Sequence, residues 1–354
     1  MNVRTKRALK IIPALIILYI GLIILYNTRT TVNNFYYDEQ ISAYEKMEEI
    51  TKYVISYKKE LGLPIYDYDF HNTGLLGDEY NEYTTSLGHL ESKRTSTNPD
   101  MAAMVVKMFK QIGLKPGDHV GVGFSGSFPA LNIAVISAGE VMDLDYTVIT
   151  SFGSSTFGAN QKELSFPKLL NKLYYDGVTK YNSSMVTLGG DNDTVSEKET
   201  DIIRPIIDEY NKLNLNLVIE PDYENNIQDK IELYEQKDID CFVAVGGNLT
   251  FLGMGDDDIS NRQGILKNSG IRLDTFDRSK DGLINYFLSK NVPTIHLLNV
   301  RKIVADYGLA FDPPIWPEKG TSNVFKNISY NKNLAIVLVI LSSAYLIYIN
   351  KDRY

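Results

Sequence analysis

Residues 11–26 (IIPALIILYIGLIILY) and 334–349 (LAIVLVILSSAYLIYI) each run 16 residues without a charge, and they sit at opposite ends of a 354-residue chain. A stretch that is apolar on every face buries itself completely, in a large core or in lipid. As helices they measure about 24 Å, somewhat short of a hydrocarbon core of about 30 Å. Ala8 and Leu9 lengthen the first, and Lys10, Lys332 and Lys351 can snorkel around the two. Their terminal positions favour two membrane helices over two core helices. Residues 27–29 (Asn-Thr-Arg) offer no small-residue cleavage site, so the first is expected to be an uncleaved anchor.

Charge sets the expected orientation. Arg4, Lys6, Arg7 and Lys10 precede the first apolar stretch without an acid, which holds that end in the cytoplasm. Two spans return the C-terminus to the same side, although Lys319, Lys326 and Lys332 leave the second helix ambiguous taken alone. The expected division is a cytoplasmic leader (1–10), a membrane helix (11–26), a juxtamembrane helix (27–66), an extracytoplasmic domain (67–330), a second membrane helix (334–349) and a cytoplasmic tail (350–354). The whole chain carries −8; residues 1–27 hold +4 and residues 331–354 hold +2, leaving −14 between them. Such an acidic body argues against nucleic-acid binding. One cysteine, Cys241, excludes an internal disulfide framework.

Between the anchors, short apolar runs alternate with amphipathic segments. Strands are expected at 119–124, 146–150, 184–188, 215–219, 241–245 and 293–298. Helices are expected at 33–61, from Asn98-Pro99 to Gly113, and at 127–142, 195–213, 227–236 and 283–290. This alternation predicts an α/β fold with a mostly parallel sheet and helices on both faces; a bilobed division, if present, falls near 190–215.

Four of the strands end in the same kind of loop. They run into Gly123, Ser125, Gly126 and Ser127; into Ser154 and Ser155; into Gly190 and Asp191; and into Gly247 and Asn248. Small residues at the carboxyl ends of parallel strands let backbone N–H groups approach an anion, so these residues are candidates for one shared ligand site. A second chemistry competes for Ser125. Gly123-x-Ser125-x-Ser127 resembles a nucleophile elbow with its last glycine replaced, and His296 follows in the chain order a catalytic base would take. Plain turn chemistry is the third reading. Four histidines and one cysteine give no zinc spacing. Asp256-Asp257-Asp258 reads as a solvated acidic run, and the loop opening at Asp277 has Leu288 where a calcium loop needs Glu. No P-loop or dinucleotide fingerprint is present, so no metal and no cofactor are expected.

The block GDEYNEYTTSLGHLESKRTSTNPDMAAMVVKMFKQIGLKPGDHVGVGFSGSFPALNIAVISAGEV (77–141) resembles the bacterial membrane family called poly-γ-glutamate system protein. The resemblance continues through GSSTFGAN (153–160), LGGD (188–191), VGGN (245–248) and TIHLLN (294–299), and so covers most of the central domain. It implies a membrane component that accompanies the ligase-type enzymes making and exporting poly-γ-glutamate. It implies no reaction and no catalytic residues. Lacking a phosphate loop, the chain is not expected to be the ATP-dependent polymerase. The expected partners are the synthesis and export subunits and the glutamyl polymer, with Lys93 and Arg94 as candidate cations for its carboxylates. A polymer-trimming serine hydrolase or amidase and a non-catalytic scaffold are the alternatives. An acidic body facing a polyanion requires a local positive pocket, bridging cations or contact with protein subunits alone.

Overall fold

The computed structural model describes residues 3–190, 193, 200–254, 261–268 and 273–351. In chain order it forms α1 (Val3–Asn27), β1 (Thr30–Asn33), α2 (Tyr37–Glu60), β2 (Thr84–Ser86), α3 (Leu90–Ser96), α4 (Asp100–Ile112), β3 (His119–Phe124), α5 (Pro129–Val141) and β4 (Asp145–Ser151). There follow β5 (Ser154–Ser155), α6 (Phe166–Tyr175), β6 (Met185–Thr187), α7 (Thr200–Lys212), α8 (Tyr223–Tyr234), β7 (Cys241–Val245) and α9 (Leu249–Leu252). The remaining elements are β8 (Gly264–Leu266), α10 (Leu283–Ser289), β9 (Thr294–Leu297), α11 (Val300–Tyr307), β10 (Lys326–Ser329) and α12 (Lys332–Lys351).

Two compact units result: residues 1–35 with 325–354, and residues 36–324. In the first, β1 pairs antiparallel with β10, Thr30 opposite Ser329. Because α1 leads into β1 and β10 leads into α12, this pairing sets the two helices side by side with their free ends together. Gly21 gives the close approach, since a Cβ there would lie 2.5 Å from Leu338 Cδ2. Leu15, Tyr19, Leu22, Ile340 and Ile347 are each more than half exposed on these helices. Within α12, residues 332–349 are long and apolar enough to cross a membrane, while the apolar run of α1, Ile11–Asn27, is shorter.

The second unit is an α/β body on a six-stranded sheet of order β6-β4-β3-β7-β9-β8. The first five strands are parallel and β8 is antiparallel to β9. Starting at β3, the chain builds outward through β4 and β6, then returns to the other side of β3 for β7 and β9. The reversal lies between β3 and β7, and the carboxyl ends of strands at such a switch point open a crevice.

Helices cover both faces. Phe242 and Ala244 of β7 pack with Ile227, Ile231 and Tyr234 of α8 and with Leu283 and Phe287 of α10. On the other face, Tyr146 of β4 donates to the Val135 carbonyl of α5 (2.9 Å), and Phe124 meets Phe166 of α6 edge to face. β3, β7, β9 and α10 fall within a residue or two of their expected bounds, because each is an apolar run closed by Gly, Pro or Asn. α4 begins one residue later than expected, with Pro99 at the N-cap, and Asn98 Oδ1 accepts the Asp100 N–H at 3.0 Å from just before it. The strand expected at 215–219 is reduced to one parallel bridge, Leu217 to Val186, since β6 is only three residues long and cannot extend a ladder. The start of the helix expected at 195–213 lies outside the described residues, and α7 begins at Thr200.

Gly123, expected at the ligand site, performs a packing role instead. A Cβ there would come within 2.7 Å of Phe251 Cε2. Gly123→Ala is therefore expected to cost about 1–3 kcal/mol by overpacking. Thermal unfolding of the full chain in detergent checks this; an unchanged midpoint would show that the Phe251 ring can move aside.

Candidate functional site

Above the switch point the strand-end loops enclose a cavity of about 630 Å³. Ser125, Ser127, Ser155, Gly190, Gly247 and Asn248 all line it, so three of the four expected loops meet there through side chains and the fourth through Gly190. Asp191 lies outside the described residues. The meeting has a local cause. The Ser125 N–H donates to Val245 O (3.1 Å), tying the end of β3 to the end of β7. Gly246 sits at φ +91°, and a Cβ there would fall 2.6 Å from Ser125 Cβ, so this turn requires glycine. Ser125 Oγ accepts the Ser127 N–H (3.1 Å), and Ser127 Oγ accepts the Ser155 N–H (3.0 Å). These two bonds fix β3, the following turn and β5 against one another.

At the floor stands Lys93 of α3, only 2% exposed. Its Nζ donates to the Ser127 carbonyl and to Ser155 Oγ, the latter at 2.8 Å, and lies 3.6 Å from the centre of the Phe128 ring. Burial pushes this ammonium down to about 7. Among the described residues Lys58 and Lys230 are as deeply buried; Lys58 has carboxylates nearby without an ion pair, and Lys230 has one in contact. Lys58 donates to the Leu76 and Gly74 carbonyls near Asp69 and Asp78, and Lys230 pairs with Asp193 at 2.5 Å. Among the described residues no carboxylate lies within ion-pair distance of Lys93. A buried cation without an anion is costly, and one that lines a cavity is a candidate functional residue.

Asn248 is held by a buried network. Its Nδ2 donates to Asp193 Oδ1 (2.8 Å), which also accepts from Thr187 Oγ1 (3.0 Å), while Asp193 Oδ2 accepts from Lys230 and from Thr250 Oγ1 (3.2 Å). Burial raises the Asp193 carboxyl, but the Lys230 ammonium and these hydrogen bonds outweigh it and hold the group below the usual carboxylate range. Asp193 thus links β6, α8 and the loop after β7.

The remaining expected residues stand elsewhere. Arg94 does not reach the cavity: it makes a two-pronged pair with Asp312 (Nε–Oδ1 2.8 Å, Nη2–Oδ2 2.6 Å) and lies over Phe70. Ser154 is fully buried, its Oγ donating to Gly126 O at 3.0 Å, and Gly126 is pressed against the backbone of residues 151–153. His296 does not line the cavity. It is opposite Ala244 on the face covered by α8 and α10, with Nδ1 2.8 Å from Arg262 O. The Ser125–His296 couple is therefore not assembled, because a residue inside a strand points to a sheet face and not to the strand end.

His89 and Arg301 are among the lining residues that were not anticipated. His89 precedes α3, and Arg301 of α11 lies 3.9 Å over the Phe311 ring. The loop after β9 is also a strand end, but it holds no Gly or Ser, so only a rule that takes every strand end of the parallel sheet would have found Arg301. Among the described residues no cluster of three or more potential metal-binding side chains occurs.

No family model matches the chain, and no curated protein matches it. Among solved structures it is similar to a multiple substrate aminotransferase from Thermococcus profundus, with 12% identity over 51% of this chain and a TM-score of 0.15. The chain spans 42% of that structure's length.

Proposed function

We propose that this chain is a membrane-anchored accessory component of poly-γ-glutamate synthesis or export, whose α/β body binds a carboxylate-bearing ligand in the strand-end cavity. One observation carries the reading. In an acidic body the described lining of the cavity carries Arg301, which is always charged, and Lys93, which is partly charged near pH 7, against one acid, Glu91. That is the local positive pocket an acidic protein needs to hold a polyanion. Hydroxyls of Ser125, Ser127 and Ser155 add neutral donors, and the volume lies in the range of small-ligand sites.

The paired apolar helices α1 and α12 support anchoring. Both free ends then lie on one side, and the basic leader makes that side the cytoplasm, leaving the body outside. ATP-driven ligation is cytoplasmic, so the body acts beside or after polymerisation. The resemblance in residues 77–141 supplies the polymer's identity.

Arg301 is the cation at the exposed wall, and it accepts substitution without disturbing the core. A short γ-linked glutamate oligomer titrated into the full chain in detergent should bind, and Arg301→Glu should weaken binding at least tenfold. Equal affinity in the variant, or no binding by the parent, would remove carboxylate recognition at this cavity.

A further inference from the structure

We propose that Ser155 and Lys93 form a nucleophile–base couple that cleaves amide bonds whose acyl side carries a free carboxylate. The carboxylate requirement rests on the ligand reading above; the couple itself does not.

Ser155 Oγ and Lys93 Nζ are 2.8 Å apart, and both residues line the cavity. Ser155 is held rigidly. Its strand pairs with β2, and its N–H is bound by Ser127 Oγ. The three directions around Nζ are occupied by the Ser127 carbonyl, the Phe128 ring and Ser155 Oγ. A neutral amine keeps its bond to the Ser127 carbonyl and turns its lone pair toward the Ser155 hydroxyl. Burial without a nearby carboxylate keeps a large fraction of this lysine neutral near pH 7. The arrangement suits a base better than a ligand-binding cation, since Lys93 is already fully engaged by the protein. Arg301 remains to hold the substrate's carboxylate.

The chemistry closes without an added oxidant or metal. As Ser155 Oγ bonds to the amide carbon, its proton moves to Lys93 Nζ. The C–N bond breaks and that proton passes to the departing nitrogen, leaving a free amine and an ester on Ser155. Water then adds to the ester, giving its proton to Lys93. The ester C–O bond breaks, the proton returns to Ser155 Oγ, and a carboxylic acid leaves.

The test is a fluorophosphonate probe on the full chain in detergent, with the modified residue located by mass spectrometry. Phosphonylation of Ser155 is expected, its rate rising with pH through a midpoint near 7 and falling at least 100-fold in Lys93→Met and in Ser155→Ala. No labelling, or labelling of another serine, overturns the proposal. A second measurement covers variants that fold poorly. Cys241 is fully buried and its thiol pushed far up by burial, so background alkylation is low. In Ser155→Cys, iodoacetamide should react at pH 7 at least tenfold faster than when Lys93→Met is added; equal rates overturn the proposal. Neither readout needs a glutamyl ligand, so failure here leaves carboxylate binding standing, and failure of oligomer binding leaves the couple standing.

Discussion

Lys230→Met is expected to destabilise the α/β body by about 3–5 kcal/mol, the cost of stranding a buried carboxylate. Lys230 and Asp193 have no exposed side-chain surface and pair at 2.5 Å. Among the described residues, removing the ammonium leaves Asp193 with the neutral donors Asn248, Thr187 and Thr250 alone. For a body of this size the midpoint of thermal unfolding should fall by roughly 5–15 °C. Adding Asp193→Leu to Lys230→Met should recover most of the loss, because an apolar pair of similar volume replaces a desolvated ion pair at little cost. The pH dependence has a definite sign. Asp193 is held below its unfolded value, so its contribution is present above the unfolded carboxylate range and is lost as pH falls through the folded value. Lys230→Met should therefore be closest to the parent in acid. Calorimetric scans of both variants between pH 3 and 8 measure this. A Lys230→Met midpoint within 2 °C of the parent at pH 7 would mean that the pair contributes little.

Lys93→Met is expected to do the opposite and stabilise the protein near neutral pH, on the order of 1–3 kcal/mol, while abolishing Ser155 labelling. The Lys93 ammonium falls from an ordinary value of 10.5 to about 7 on burial. Between those values the unfolded chain binds the extra proton, so the parent gains stability as pH rises through this window. Below about 7 both states are charged and the full burial penalty is present. The variant's advantage should be largest at pH 6 and shrink toward pH 10. Part of it is offset by the Ser127 carbonyl, which loses a donor. An advantage that does not change with pH would show that Lys93 is not buried as a cation. A variant both more stable and inert to the serine probe would separate function from folding in one substitution.

How much of this was legible beforehand differs by feature. β3 and β7 were readable because a strand covered on both faces must be apolar throughout, and their bounds are closed by glycine. β8 was not, since three residues carry no periodicity. The Ser/Gly loops were readable as strand ends, and a parallel sheet puts all such ends on one side, so Ser125, Ser127 and Ser155 had to be near one another. The same rule could not separate Ser155 from Ser154, because adjacent residues on a strand point opposite ways: Ser154 Oγ turns in to the Gly126 carbonyl, Ser155 Oγ out to Lys93.

The sequence by itself determined the alternating α/β body, the apolar ends, the acidic charge balance and the side of the sheet where the Gly/Ser loops gather. All of these follow from local pattern and composition. Tertiary structure alone decided which polar residues meet at the cavity. Lys93 and Arg94 are adjacent and both cationic, yet α3 turns one into the cavity floor without an acid and the other onto Asp312. Gly123 and Gly246 look alike in sequence, yet one makes room for Phe251 and the other for Ser125. A side chain's chemistry depends on its dielectric surroundings and its partners, and here those partners are contributed by segments 34, 62 and 218 residues away.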